Sequence, residues 1–120
     1  MAAPVQLAAI DAGSNAIRLV IAHATSPHHI QILDNERAAV RLGHNAFTRR
    51  LLDDDTIARA ARVFRQFRDR MDAHQVSAYR AVATAAARES RNYRKLMDRI
   101  QRKTGIELER SEERRVGKEC

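Results

Sequence analysis

The stretch IDAGSNAIRL, residues 10–19, is the strongest local signal for the fold of this chain. It places an acidic residue, Asp11, at the end of a short apolar run and follows it with Gly-Ser-Asn at residues 13–15, which are common turn residues. Residues 16–24 (AIRLVIAHA) are apolar and rich in strand formers. The pattern therefore predicts a β-hairpin with Asp11 at the tip of its first strand.

The turn of this predicted hairpin carries groups that suit a phosphate. Turn amides, the Ser14 hydroxyl, the Asn15 amide and the Arg18 guanidinium can all donate hydrogen bonds to phosphate oxygens. Gly13 allows a tight turn or a close approach of the backbone to a ligand. Asp11 can hold Mg²⁺ directly or through water. The same residue types also make ordinary hairpins, and composition alone favours that simpler interpretation.

Outward from the hairpin, the hydrophobic period changes from strand to helix. Residues 29–42 alternate imperfectly and predict a third strand, so the first three strands form an antiparallel meander. Acids at residues 53–55 precede an amphipathic helix of about five turns. Its predicted apolar face consists of Ile57, Ala60, Ala61, Phe64, Phe67 and Met71.

The remaining pattern adds a strand, a helix and another strand. Residues 76–83 alternate like a strand, and Asn92 is a suitable N-cap for a second helix that ends before Gly105. A last strand begins at residues 106–108. The predicted order is β-β-β-α-β-α-β, an α/β arrangement with a mixed sheet and helices packed on it.

Composition limits the possible functions. The 120 residues include 44% hydrophobic and only 4% aromatic residues, which predicts one small domain with an aliphatic core. A net charge of +7 attracts polyanions such as polyphosphate, nucleic acid or an acidic membrane surface. Cys120 is the single cysteine, so neither a disulfide nor a cysteine-based metal site is expected. The absence of a leader-like or membrane-spanning stretch predicts a cytoplasmic protein.

The end of the chain departs from this pattern. Residues 110–120 (RSEERRVGKEC) turn to charge just after a strand has begun, with no hydrophobic continuation. This stretch resembles the translation of a sequencing-library adapter. We expect residues 1–109 to form the domain and residues 110–120 to be a foreign, unpacked tail, the alternative being a genuine disordered basic tail.

Two motifs in register resemble the Ppx/GppA phosphatases, a branch of the actin-like ATPase superfamily. Residues 11–19 match the form D-x-G-S-N-x-x-x-L/M, and residues 80–92 (RAVATAAARESRN) are similar to R-A-V-A-T-S-A-x-R-x-A-x-N. The GIELE sequence at residues 105–109 also fits. The resemblance implies a truncated ribonuclease H-like N-terminal subdomain of an exopolyphosphatase or guanosine pentaphosphate phosphohydrolase.

The resemblance also implies roles for single residues. Asp11 would be the carboxylate associated with Mg²⁺, and Gly13, Ser14 and Asn15 would form the first phosphate loop. The basic groups facing the phosphates would be Arg18 and Arg88, whereas Arg80 is expected to be structural. Ser90 stands where the family commonly has a small apolar residue.

The resemblance further implies what lies beyond this chain. The family's catalytic Glu and its second phosphate motif follow the GIELE segment, so the chain alone is expected to be inactive. The complete enzyme is expected to be a homodimer that acts on polyphosphate or guanosine pentaphosphate. The alternatives are another actin-like ATPase or kinase fragment, and a basic nucleic-acid-binding module, for which no recognition motif occurs.

Overall fold

The computed structural model describes residues 4–42, 51–83 and 90–110. Three strands come first, followed by a helix, a strand, a helix and a strand. The elements are β1 (Val5–Ala12), β2 (Ile17–Ser26), β3 (His29–Ala38), α1 (Asp54–Ala73), β4 (Ala78–Ala83), α2 (Tyr93–Thr104) and β5 (Leu108–Arg110). This order confirms the predicted α/β arrangement.

The five strands form one mixed sheet in the order β3-β2-β1-β4-β5. The meander β1-β2-β3 is antiparallel, whereas β4 runs parallel to β1 and β5 runs parallel to β4. A parallel neighbour requires a crossover connection, which α1 provides between β3 and β4 and α2 provides between β4 and β5.

One face of the sheet carries the core. Burial alternates along β1, where Ala8, Ile10 and Ala12 are buried and the residues between them are exposed. Both helices pack on this face. The six apolar residues predicted for the first helix are all buried, and Tyr93, Leu96 and Ile100 are buried on α2. The other face exposes Val5, Leu7, Ile30 and Ile32.

The ends of both helices follow from local chemistry. The Asp53 carboxylate accepts a hydrogen bond from the Thr56 amide at 2.8 Å, which caps α1 as its acidic start predicted. Gly105 ends α2 with φ +76°, a left-handed conformation that glycine adopts without strain.

Strand β3 is shorter than predicted and contains an irregularity. It ends at Ala38, and the apolar residues after it, Val40 and Leu42, are buried outside the strand. A register shift between Ile21 and Ala22 of β2 skips a residue of β3. Because Leu33 is skipped, Asp34 lies on the side of the sheet that faces the helices. There, Arg70 Nε donates to Asp34 Oδ2 at 2.8 Å.

Asn92 has a different role from the one predicted. It occupies the N-cap position of α2, but its side chain forms no capping hydrogen bond. Its amide instead donates to the Leu52 carbonyl oxygen at 2.7 Å and accepts from the Leu52 N–H at 2.9 Å. Asn92 therefore fixes the segment that enters α1 to the start of α2.

Tyr93 is buried at the start of α2, and its hydroxyl finds no hydrogen-bond partner among the described residues. Burial raises the pKa of Tyr93 to about 12, and the positive charge of Arg110 offsets only part of this rise. The phenol therefore stays neutral well above the usual range of tyrosine.

Arg110 corrects one part of the tail prediction. It is the last residue of β5, it pairs with Ala83 of β4, and its guanidinium lies 5.5 Å from the centre of the Tyr93 ring. The prediction that the tail packs against nothing is therefore wrong for its first residue, Arg110. Residues 111–120 lie outside the described residues, so the rest of the tail stays a prediction.

Within the described part of the chain, no helix is long and apolar enough to cross a bilayer.

Asn92→Ala should lower the free energy of unfolding by about 2 kcal/mol, because it leaves the Leu52 N–H and carbonyl without partners in a partly buried place. Asn35→Ala is the matched control, since Asn35 is exposed on β3. Urea denaturation of both variants measures the difference. Equal unfolding midpoints would show that the Asn92 contacts contribute nothing.

Tyr93→Phe should remove an alkaline loss of stability. The folded pKa of Tyr93 lies above its unfolded value, so the unfolded state ionises first as the pH rises and stability falls between pH 10 and about 12. The fall is about 1.4 kcal/mol per pH unit. Unfolding curves at pH 8 to 11.5 should diverge between the parent and Tyr93→Phe, whereas Tyr79→Phe keeps Tyr93 and should show the parent's alkaline loss. Parallel curves for the parent and Tyr93→Phe would contradict the shift.

Candidate functional site

The predicted phosphate turn is a tight connection between β1 and β2. Ala12 and Ile17 form the last pair of the hairpin, and the Gly13 N–H donates to the Ala16 carbonyl oxygen at 3.0 Å. Ser14 is half-buried and Asn15 is exposed. Gly13 does not adopt a positive φ, so the turn itself does not require glycine, and close approach of a ligand remains the predicted reason for it.

Asp11 and Arg18 face each other across the hairpin. Their Cα atoms are register partners, and both side chains are exposed on the sheet face opposite the helices. Within the described residues, neither side chain forms a salt bridge or a hydrogen bond. A carboxylate and a guanidinium are therefore both available to a ligand beside the Gly13 turn.

The parallel pairing of β1 and β4 brings a second segment to this end of the sheet. Ala83, at the end of β4, is the register partner of Ala12. The chain therefore leaves β4 next to the turn that follows β1. Arg88, the other predicted phosphate-facing arginine, belongs to the segment after β4 and lies outside the described residues.

Both helices begin at this same end. β4 starts beside Leu7, at the end of β1 that is far from the turn. α1 precedes β4 in the chain and is about 30 Å long, so it runs from the turn end of the sheet to this far end. The N-terminus of α1 must therefore lie near the turn, and α2 starts where β4 has just ended. The first turn of α1 contains Asp54 and Asp55, whereas that of α2 contains no acid. The Asp54 carboxylate instead lies 2.8 Å from Lys95 Nζ, in the first turn of α2, and joins the starts of the two helices.

Sequence reasoning missed a cavity beside the start of α2. It has a volume of about 260 Å³ and its lining includes Arg91, Arg94 and Arg110 together with Ser90, Tyr93 and Met97. Guanidinium groups near the start of a helix are the kind of group that binds an anion. The available signal was the alternation of arginine with small or aromatic residues in SRNYR, residues 90–94.

The carboxylates of the described residues limit how a metal could bind. Residues 4–42, 51–83 and 90–110 contain no group of three or more His, Cys, Asp or Glu side chains suited to an ion. Mg²⁺ often uses only one or two protein carboxylates, with water and phosphate oxygens as its other ligands. The exposed Asp11 fits one such ligand, and no complete protein cage is present in the described part.

Arg80 takes part in the sheet and not in the turn. Its Nη2 donates to Glu109 Oε1 at 3.2 Å, which joins β4 to β5. This contact agrees with the structural role expected for Arg80.

Comparisons with solved structures show the same fold in larger proteins. A Ppx/GppA family protein from Aquifex aeolicus is 27% identical, with a TM-score of 0.85 over 91% of this chain and 35% of its own. An exopolyphosphatase from Cytophaga hutchinsonii is 30% identical, with a TM-score of 0.82 over 88% of this chain and 33% of its own. This chain thus spans about a third of the length of either relative.

A more distant structure shares the fold alone. A nucleoside triphosphate hydrolase from Neospora caninum is 15% identical, with a TM-score of 0.52 over 92% of this chain and 28% of its own. No curated protein sequence matches the chain.

The sequence model of the Ppx/GppA phosphatase family matches residues 20–113. This match begins after the hairpin turn and is therefore independent of the motif at residues 11–19. It covers more than half of the 120 residues. The chain belongs to the Ppx/GppA phosphatase family.

Proposed function

We propose that this chain supplies the first phosphate-binding loop of a phosphoanhydride hydrolase that acts on inorganic polyphosphate or guanosine pentaphosphate. One observation carries the proposal: Asp11 and Arg18 flank the Gly13 turn on an exposed face, without a partner among the described residues. Membership of the family supports a hydrolase, and the name of the Cytophaga hutchinsonii relative, an exopolyphosphatase, supports polyphosphate as the substrate.

Each group at the turn has a distinct task in this proposal. The Gly13 N–H is already bonded to the Ala16 carbonyl, so the amides of Ser14 and Asn15 and the Ser14 hydroxyl donate to the non-bridging oxygens of a bound phosphate. Arg18 places a fixed positive charge beside them. Hydrolysis of a phosphoanhydride depends mostly on positioning and on such electrostatic stabilisation. Arg88 is proposed as a second cation from the segment after β4.

Asp11 is the proposed contact to a metal ion. A bound Mg²⁺ would supply charge neutralisation at the phosphate oxygens. Asp11 would hold it through a coordinated water or directly, and it would also limit how closely a phosphate approaches the hairpin. The Glu that orients the attacking water is proposed to lie in the remaining two thirds of the complete protein. A cytoplasmic location and a homodimer stay proposals for that complete protein.

A nucleic-acid-binding module remains as a second class of function only through the net charge of +7. At the turn, the exposed charged groups of the described surface are one acid, Asp11, and one base, Arg18, so no positive patch favours nucleic acid there.

Asp11→Asn should lower turnover of polyphosphate by at least about 10²-fold, the usual scale for one electrostatic element of a catalytic site. The experiment joins residues 1–109 to the part of a family relative that follows the matched segment, and it measures phosphate release. Asp98→Asn is the control, since it removes an exposed carboxylate from α2. The unjoined chain and its Asp11→Asn variant should both release no phosphate.

Two results would contradict this proposal. The first is near-parental turnover by the joined Asp11→Asn protein. The second is Mg²⁺-dependent phosphate release by the unjoined chain, which would show that no further catalytic residue is needed. Unfolding curves of the joined variants show whether a loss of turnover reflects a loss of folding.

A further inference from the structure

The outer surface of the helix layer contains a second cationic feature. A groove of about 500 Å³ lies between α1 and α2, and its floor is formed by Ala58 and Ala61. Its walls are Arg62 and Arg65 from α1 and Arg99 and Lys103 from α2. We refer to these six residues as the interhelical groove. It lies on the side of the helices that faces away from the sheet, because the core-facing sides are buried against the strands.

The charge of the interhelical groove is one-sided. Among the described residues, no carboxylate lines it, whereas four cations do. Arg65 is held across the groove, because its Nη1 donates to the Lys103 carbonyl oxygen at 3.2 Å and its Nε lies 3.6 Å from Asp69. Arg62, Arg99 and Lys103 form no salt bridge within the described part of the chain.

Two arginines of α1 outside the groove are paired with acids of their own helix, as Arg65 is with Asp69. Arg59 lies 3.9 Å from Asp55, and Arg68 lies 3.3 Å from Asp72, each one helical turn away. These i,i+4 pairs neutralise the helix surface outside the groove. In the groove, Asp69 lies beside Arg65 and Asp54 lies near Arg99, but Arg62, Arg99 and Lys103 have no salt-bridge partner among the described residues. These cations from two helices keep the groove positive, which attracts an anion with several charges.

The shape of the groove selects among polyanions. Cations on facing walls and on successive helical turns can contact several phosphates of one narrow chain at once, whereas a short phosphate reaches only part of the set. None of the six lining residues is aromatic, so the groove lacks the stacking platforms on which single-stranded nucleic acids are bound.

We infer that the interhelical groove binds a distal part of a linear polyphosphate chain, separately from the phosphate turn at Gly13. The inference rests on the proposed function for the class of its ligand. The groove would hold long substrate chains by charge and leave the reacting end free to reach the turn. Preference for long over short polyphosphate would then originate in part on the helix layer.

The test compares two triple variants of the 120-residue chain. Arg62→Gln, Arg99→Gln and Lys103→Gln neutralise the groove. Arg59→Gln, Arg68→Gln and Arg102→Gln remove the same charge from the same helices outside it. Calorimetry measures binding of long-chain polyphosphate and of tripolyphosphate to each, and circular dichroism confirms the helix content of both.

The groove variant should bind long-chain polyphosphate at least about tenfold more weakly, and the slope of log K against log salt should decrease in magnitude by about two. Its affinity for tripolyphosphate should change little. The control variant should keep most of the long-chain affinity. Ala58→Glu places an acid on the floor without removing a cation, and it should weaken long-chain binding as well.

Equal losses of long-chain affinity in the groove and control variants would overturn the groove as a binding site, since they would show that only net charge matters. Equal or tighter binding of a single-stranded oligonucleotide, lost in the groove variant, would overturn polyphosphate as its ligand. Arg18→Gln separates the two proposals, because it should weaken tripolyphosphate binding at the turn. If Arg18→Gln leaves tripolyphosphate binding unchanged while the groove variant loses long-chain affinity, the groove proposal is supported and the proposed function of the turn is contradicted.

Discussion

The parallel pairing of β1 with β4 is the constraint on which the rest of this structure depends. On the buried face of these strands, Ala8, Ala12, Ala81 and Ala83 are small, and Ile10 is the large side chain among them. The larger buried side chains of α1, such as Phe64, can therefore pack closely on the sheet. The same pairing sets the chain ends of β1 and β4 side by side, which creates the site.

Local chemistry was sufficient to predict much of this fold from the sequence. The Asp53 cap, the Gly105 terminus and the apolar face of α1 each depend on residues within a few positions of one another. Strand β3 was overestimated because Val40 and Leu42 continue an apolar alternation that, in the structure, serves burial outside the sheet. Alternation alone does not reveal where pairing ends.

Long-range contacts explain most of what the sequence did not reveal. The Asn92 side chain binds the backbone of Leu52, which is forty residues away, so a capping role was the natural local prediction. The interhelical groove likewise requires α1 and α2 to lie side by side, since Arg62 and Lys103 have no relation in sequence. For the phosphate site, the sequence predicted the turn and its flanking charges. Their placement on the open sheet face followed only from the register.

The proposed phosphate site rests on a fixed hairpin and on the exposed, oppositely charged Asp11 and Arg18 beside it, all of which are in place without a ligand. The most direct measurement is a titration of the ¹⁵N-labelled chain with tripolyphosphate and Mg²⁺, followed through its backbone amide resonances. The account predicts saturable shifts at Gly13, Ser14 and Asn15, at concentrations where the amides of β3 do not move. Unchanged resonances at these three amides under saturating tripolyphosphate would contradict it.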